Sequence, residues 1–156
     1  MNTTNGSQAT KASLLAACAQ YVSQRLDNAL QAIASATEAA TDDTKSSAGD
    51  KFETTREMMQ QELNRHRQLL ADAQRMEQAL ANLDIGIHTG PAKPGSLVET
   101  SHGMFFIAVS VGKLQIDWVT YWAISPVSPL GRQLIGTKAG EQVHFNGTNY
   151  LIKSII

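Results

Sequence analysis

The sequence predicts an α+β protein: a long N-terminal antiparallel α-hairpin, a coiled coil, followed by a small α+β sheet domain. The first observation behind this is an abrupt change of composition near residue 84. Upstream the chain is rich in Ala, Gln, Glu, Leu and Met and has no proline. Downstream lie Pro91, Pro94, Pro126 and Pro129, both tryptophans and most of the glycines. Good helix formers give way to β-branched and aromatic residues. The second observation is that apolar residues recur at spacings of three and four upstream. The third is that short apolar runs alternate with turn residues downstream.

Residues 1–10 are polar and lack an apolar period, so they are expected to be disordered. The coiled-coil domain then occupies 11–83. Its first seam runs through Leu15, Ala19, Val22, Leu26, Ala29, Ile33, Ala36 and Ala40, with alanines that let a partner helix come close. A second seam runs through Met59, Leu63, His66, Leu69/Leu70, Ala73, Met76, Leu80 and Leu83. Between them, 41–50 has no apolar period and is expected as a tip loop. Within it Ser47 and Asp50 resemble a capping box, with aspartate in the usual Glu/Gln place. A short connection folds two such helices back on one another. At about 30 residues each they give a finger on the order of 45 Å long.

Residues 84–94 are expected as a linker, and 95–156 as the sheet domain. Strands are predicted over 95–100, 104–111, 114–117 and 119–124, with Gly112-Lys113 as a turn. Val143-His144-Phe145 and a strand from Tyr150 to Ile155 flank Asn146-Gly147, the strongest hairpin turn signal in the chain. Phe105, Phe106, Trp118, Tyr121, Trp122 and Phe145 supply the large side chains that a domain of this size needs. Between the strands stands the run Ser128-Pro129-Leu130-Gly131-Arg132-Gln133-Leu134-Ile135-Gly136, leading to Gly140-Glu141-Gln142-Val143. Ser128-Pro129 turns the chain out of a strand. Leu134 and Ile135 then sit on a short helix ending at Gly136, and Gly140 marks the turn before the next strand.

Composition excludes several classes. With 13 basic and 14 acidic residues, the chain lacks the basic excess of a protein that grips nucleic acid by its phosphates. The single cysteine, Cys18, rules out an intramolecular disulfide and a Cys-rich zinc site, and reads as a small apolar residue. No apolar signal core opens the chain and no run approaches the roughly 20 apolar residues of a membrane span, so a soluble cytoplasmic protein is expected. His66, His88, His102 and His144 fall one per segment without ligand spacing, and Met58, Met59 and Met76 at helical spacing read as packing residues. No phosphate loop, dinucleotide fingerprint or nucleophile elbow is present.

The Ser-Pro-Leu-Gly run, its Gly-Glu-x-Val continuation and the order of a coiled coil before a small sheet domain together resemble the bacterial Gre transcription elongation factors, over the whole chain. The resemblance implies an FKBP-like C-terminal domain that docks on RNA polymerase and a coiled coil that enters the secondary channel. It also implies acidic tip residues that help hold a second Mg²⁺ at the polymerase active centre and promote cleavage of backtracked RNA. Hard oxygen ligands suit Mg²⁺, and two metals activate a water and steady the leaving oxygen. On this reading the protein has no cofactor of its own, shares Mg²⁺ with the polymerase, meets nucleic acid only through it, and has no catalytic site that works alone. The docking neighbourhood is expected at Ser128, Pro129, Leu130, Gly131 and Arg132.

The tip departs from the family, whose Gly-Asp-Leu-Ser-Glu-Asn is followed by Ala-Glu-Tyr. Aligned on Ser47 and Phe52, the two metal-directing acids fall on Lys45 and Ala48, so that role is not carried over. Asp42, Asp43, Asp50 and Glu53 are the acids left at the tip. Asp42 and Asp43 would replace the missing pair if the loop turns differently; otherwise they are solvated loop residues, with Asp50 and Glu53 serving a helix N-terminus. Two other classes stay open. One is a peptide-binding or prolyl isomerase module using a cleft lined by Phe105, Trp118, Tyr121 and Trp122. The other is a structural protein whose helices form a homodimer, since the seams pair equally well within or between chains.

Overall fold

The computed structural model describes the backbone of residues 2–46 and 50–156, and the side chains of 5–39, 41 and 54–156. In order, the elements are α1 (Asn2–Ser46), α2 (Asp50–Ala81), β1 (Leu97–Thr100), β2 (Gly103–Ile107), β3 (Gly112–Ile116), β4 (Val119–Ile124), α3 (Pro129–Leu134), β5 (Gln142–Phe145) and β6 (Thr148–Ile155). The fold is thus α+β, a long helical region followed by a small mixed sheet. It divides into two compact units, Met1–Tyr21 with Gln78–Ile156, and Val22–Glu77.

The unit Val22–Glu77 is a pair of antiparallel helices. Arg25 reaches Met76, while Ala29 and Ala32 share a groove with His66 and Leu69, so positions rise along α1 as they fall along α2. Among its described residues, Val22, Ala29 and Ala73 are the buried apolar positions. In the other unit, Leu14, Cys18 and Leu80 are buried where α1 begins and α2 ends. This corrects the first seam near its start: Leu14 and Cys18 point inward, Leu15 is half-buried and Ala19 is exposed. Both registers are apolar; the inward one reaches Val22 four residues after Cys18, and from Val22 to Ala29 the expected seam is the buried one.

The first ten residues are also corrected. The chain is helical from Asn2, not disordered, because its opening turns are tied to the rest of the unit. Gln8 donates to the Ile85 carbonyl at 3.4 Å, and Leu14 is buried. At the other end of α1, residues 41–46 continue the helix that sequence reading ends at a loop, and α2 starts at Asp50.

The sheet has the order β3-β4-β2-β1-β6-β5, antiparallel throughout except for β2 beside β4. Val98, Phe105, Ile107 and Ile152 form the core on one face, closed over by Leu134 of α3, Val143 and Ala92. The other face carries Leu97, Phe106, Tyr121 and Ala123, all buried, beneath the first turns of α1. Residues 84–94 form a packed segment. Ala92 is in the core and exchanges backbone bonds with Gly136 and Thr137 at 2.8 and 2.9 Å. The backbone of Gly95 passes so near Asp84 that a Cβ there would lie 1.9 Å from its carbonyl oxygen.

Asn146-Gly147 turns β5 into β6 with positive φ at both residues, as its sequence signal predicts. Elsewhere the strand limits move. β2 stops at Ile107, and β3 begins at Gly112, where a turn was expected. The turn between β3 and β4 is Asp117-Trp118, with φ of 50° and 68°, flanked by the pair Ile116 and Val119. Two positive values across a two-residue loop make this a type I′ turn.

Candidate functional site

The Ser128–Arg132 run is held by bonds within itself. Ser128 has an extended conformation and caps α3: its hydroxyl accepts from the Gly131 amide at 3.1 Å and donates to the Ser125 carbonyl at 2.6 Å. Pro129 takes the first helical position, where its fixed φ suits the helix and its missing N–H is not needed. Gly131 is a steric requirement, since a Cβ would lie 2.0 Å from the Ser125 oxygen. Leu130 packs against the core and Leu134 is fully buried. That leaves Pro129 and Arg132 facing outward, beside Val127, which is 66% exposed. Ser128, Leu130 and Gly131 therefore shape the turn, and Pro129 and Arg132 are its exposed residues.

The acidic tip residues Asp42 and Asp43 lie on helical backbone near the end of α1, while Asp50 and Glu53 lie in the first turn of α2. The side chains of all four, and that of Lys45, lie outside the described residues, as do Ser47 and Ala48 altogether.

The aromatics weighed as one cleft are distributed over the sheet domain. Tyr121 and Trp122 are neighbours on β4, so they point to opposite faces. Tyr121 is buried, which raises its phenol above the usual range, with Asp117 adding to the shift. Trp122 is 40% exposed and borders Gly103. Phe105 is in the core with its ring edge-on to Tyr150, 5.8 Å between centroids. Trp118 stands at the tip of the β3–β4 hairpin, 96% exposed. Because Tyr121 and Trp122 face opposite sides of the sheet, the four do not line one cleft together.

The histidines serve separate local structures. His66 borders a groove of about 310 Å³ with Arg25 and Asn28, its Nε2 3.6 Å from Glu62. His88 meets the buried Ser96 hydroxyl at 3.2 Å through Nε2. His102 packs edge-on to Tyr150, and His144 pairs with Asn149 at 2.6 Å. Among the described residues no three His, Cys, Asp or Glu side chains gather as a metal site, and no helix is long and apolar enough to cross a membrane.

Sequence reasoning missed one feature. Register aligns Tyr121 of β4, Met104 of β2, Glu99 of β1 and Ser154 of β6 in one row across the sheet. This row floors a cleft of about 360 Å³, roofed by Gly6, Ser7 and Thr10 of α1. Four distant stretches of chain meet there, and no local motif signals it.

No protein-family model matches the chain, and no curated protein matches it. Among solved structures it is similar to one described as the structure of the transcription factor Gfh1. The identity is 18% over 88% of this chain and 92% of that one, with a TM-score of 0.38.

Proposed function

We propose that this protein is a Gre-like transcription factor. Its sheet domain binds bacterial RNA polymerase, and its helical hairpin enters the secondary channel to modulate elongation or transcript cleavage. The observation that carries the reading is the Ser-Pro-Leu-Gly run, standing in family order after a long helical pair. Its serine and glycine serve the capped turn, while Pro129 and Arg132 stay outward for docking. The mechanism is obstruction of the channel or altered Mg²⁺ binding at the polymerase active centre. Asp42 and Asp43 are the nearest replacements for the family's absent acids, and carboxylate oxygens are the ligands Mg²⁺ favours. The protein has no catalytic site that works alone; at most it stimulates the polymerase's own RNA cleavage.

The test is retention on immobilised bacterial polymerase together with RNA release from backtracked elongation complexes. Retention with faster cleavage, lost in Asp42→Ala/Asp43→Ala, assigns the cleavage role to those acids. Retention without cleavage makes the protein a channel-occupying regulator. No retention sinks the proposal.

A further inference from the structure

We infer that the cleft between the first turns of α1 and the sheet binds a small organic cation: a protonated amine on an apolar body. The inference is independent of the polymerase reading, because the cleft lies on the face of the sheet opposite α3.

Among the described residues, Glu99 is the only charged side chain lining the cleft. One of its carboxylate oxygens, Oε2, accepts from the Ser154 hydroxyl at 3.1 Å; Oε1 has no hydrogen-bond partner among the described residues. Among the described residues no lysine, arginine or histidine lines the site. A cation seated in the cleft would meet the Glu99 carboxylate directly, with apolar and hydroxyl-bearing side chains around it. Leu97, Met104 and the ring of Tyr121 supply apolar walls. The hydroxyls of Ser7 and Thr10 supply further acceptors; Thr10 donates its own proton to the Gly6 carbonyl at 2.9 Å, which leaves its oxygen free to accept. An ammonium has three donors and no acceptor, and so fits one carboxylate and two hydroxyl oxygens. A volume of about 360 Å³ with a few polar groups on apolar walls is of the size and make-up of a small-molecule site.

Gly6 stands in the roof of the cleft. Glycine is a poor helix former compared with alanine. Nothing lies within 4 Å of where its Cβ would stand. The roof is therefore open at this position.

The experiment is a titration of the ¹⁵N-labelled full chain with benzylammonium, followed by amide chemical shifts, with neutral benzyl alcohol as the matched control. The expected result is saturable shifts at Glu99, Met104, Tyr121 and Thr10 with benzylammonium only. Glu99→Gln keeps the shape and the Ser154 bond but removes the charge, and weakens binding roughly tenfold or more. Gly6→Phe fills the roof from the far side and abolishes the shifts. Equal response to benzyl alcohol, unchanged binding in Glu99→Gln, or no saturable response in the native protein overturns the inference.

Discussion

The ammonium of Lys11 donates to the backbone carbonyl of Ile156 at 3.1 Å, across 145 positions of chain, and to that of Gly86 at 3.2 Å. A lysine thus occupies the seam position one heptad before Cys18, fully buried, and joins α1 to the segment after α2 and to the end of the last strand. Burial pushes its pKa down from 10.5 to about 8, an effect that Asp84 opposes and Lys93 reinforces. Below pH 8 both folded and unfolded chains hold the proton, and the cost of burying the charge is at its full value. Between pH 8 and 10.5 the unfolded chain holds a proton that the folded chain has released, so stability rises with pH. The expected gain is on the order of 2 kcal/mol. Urea unfolding at pH 7 and pH 10, compared between the native protein and Lys11→Met, isolates it. The difference between the two should move in favour of the native protein at the higher pH, and a constant difference would refute the account.

Cys18 lies on the same seam and shows what burial does without hydrogen bonds. Its thiol is fully enclosed and pushed up to about 11 by burial. The thiolate is the reactive form, so the native protein should resist alkylation at pH 8 and react promptly once unfolded. Cys18→Ala should cost about 1 kcal/mol. Cys18→Ser should cost about 2 kcal/mol, because it buries a hydroxyl in an apolar seam. Equilibrium unfolding of the two variants checks their order.

The division of labour in the Ser128–Arg132 run gives opposite expectations for adjacent residues. Gly131→Ala drives a methyl group into the Ser125 carbonyl, and should destabilise by about 3 kcal/mol. Ser128→Ala loses the helix cap at about 1 kcal/mol. Arg132→Glu touches an exposed side chain and should stay within about 0.5 kcal/mol of the native stability. Under the proposed function Arg132→Glu nevertheless weakens retention on polymerase. Denaturation and the retention assay, run on the same three proteins, separate folding from docking.

The parts of this fold legible in the sequence were those set by local rules. Asn146-Gly147 forms the turn its residue types demand, and the α2 positions Ala73 and Leu80 are buried as their spacing predicts. What local rules missed was decided by contacts between distant residues. Residues 2–10 are helical although polar, because Gln8 and Lys11 find carbonyl partners some 75 positions or more away. Leu14 and Leu15 are equally apolar, so only packing selects between them. Of the candidate site, the outward placement of Pro129 and Arg132 follows from a capped turn that the Ser-Pro pair announces. The row of Tyr121, Met104, Glu99 and Ser154 follows from sheet register and was invisible to any reading along the chain.

Trp118 is where the chain departs furthest from what its own backbone prefers. It occupies the second position of a type I′ turn at φ 68°, a place that favours glycine, and its indole is 96% exposed. A left-handed conformation costs a residue with a Cβ roughly 1–2 kcal/mol, and glycine adopts it freely. The exposed ring returns almost no burial to offset that cost. Trp118→Gly should therefore stabilise the sheet domain by about 1 kcal/mol, visible as a higher urea midpoint with an unchanged slope. Asp117, at φ 50° in the first turn position, is better suited to its conformation, and Asp117→Gly should gain less. A lower midpoint for Trp118→Gly would mean that the indole holds the hairpin through a contact its exposure denies.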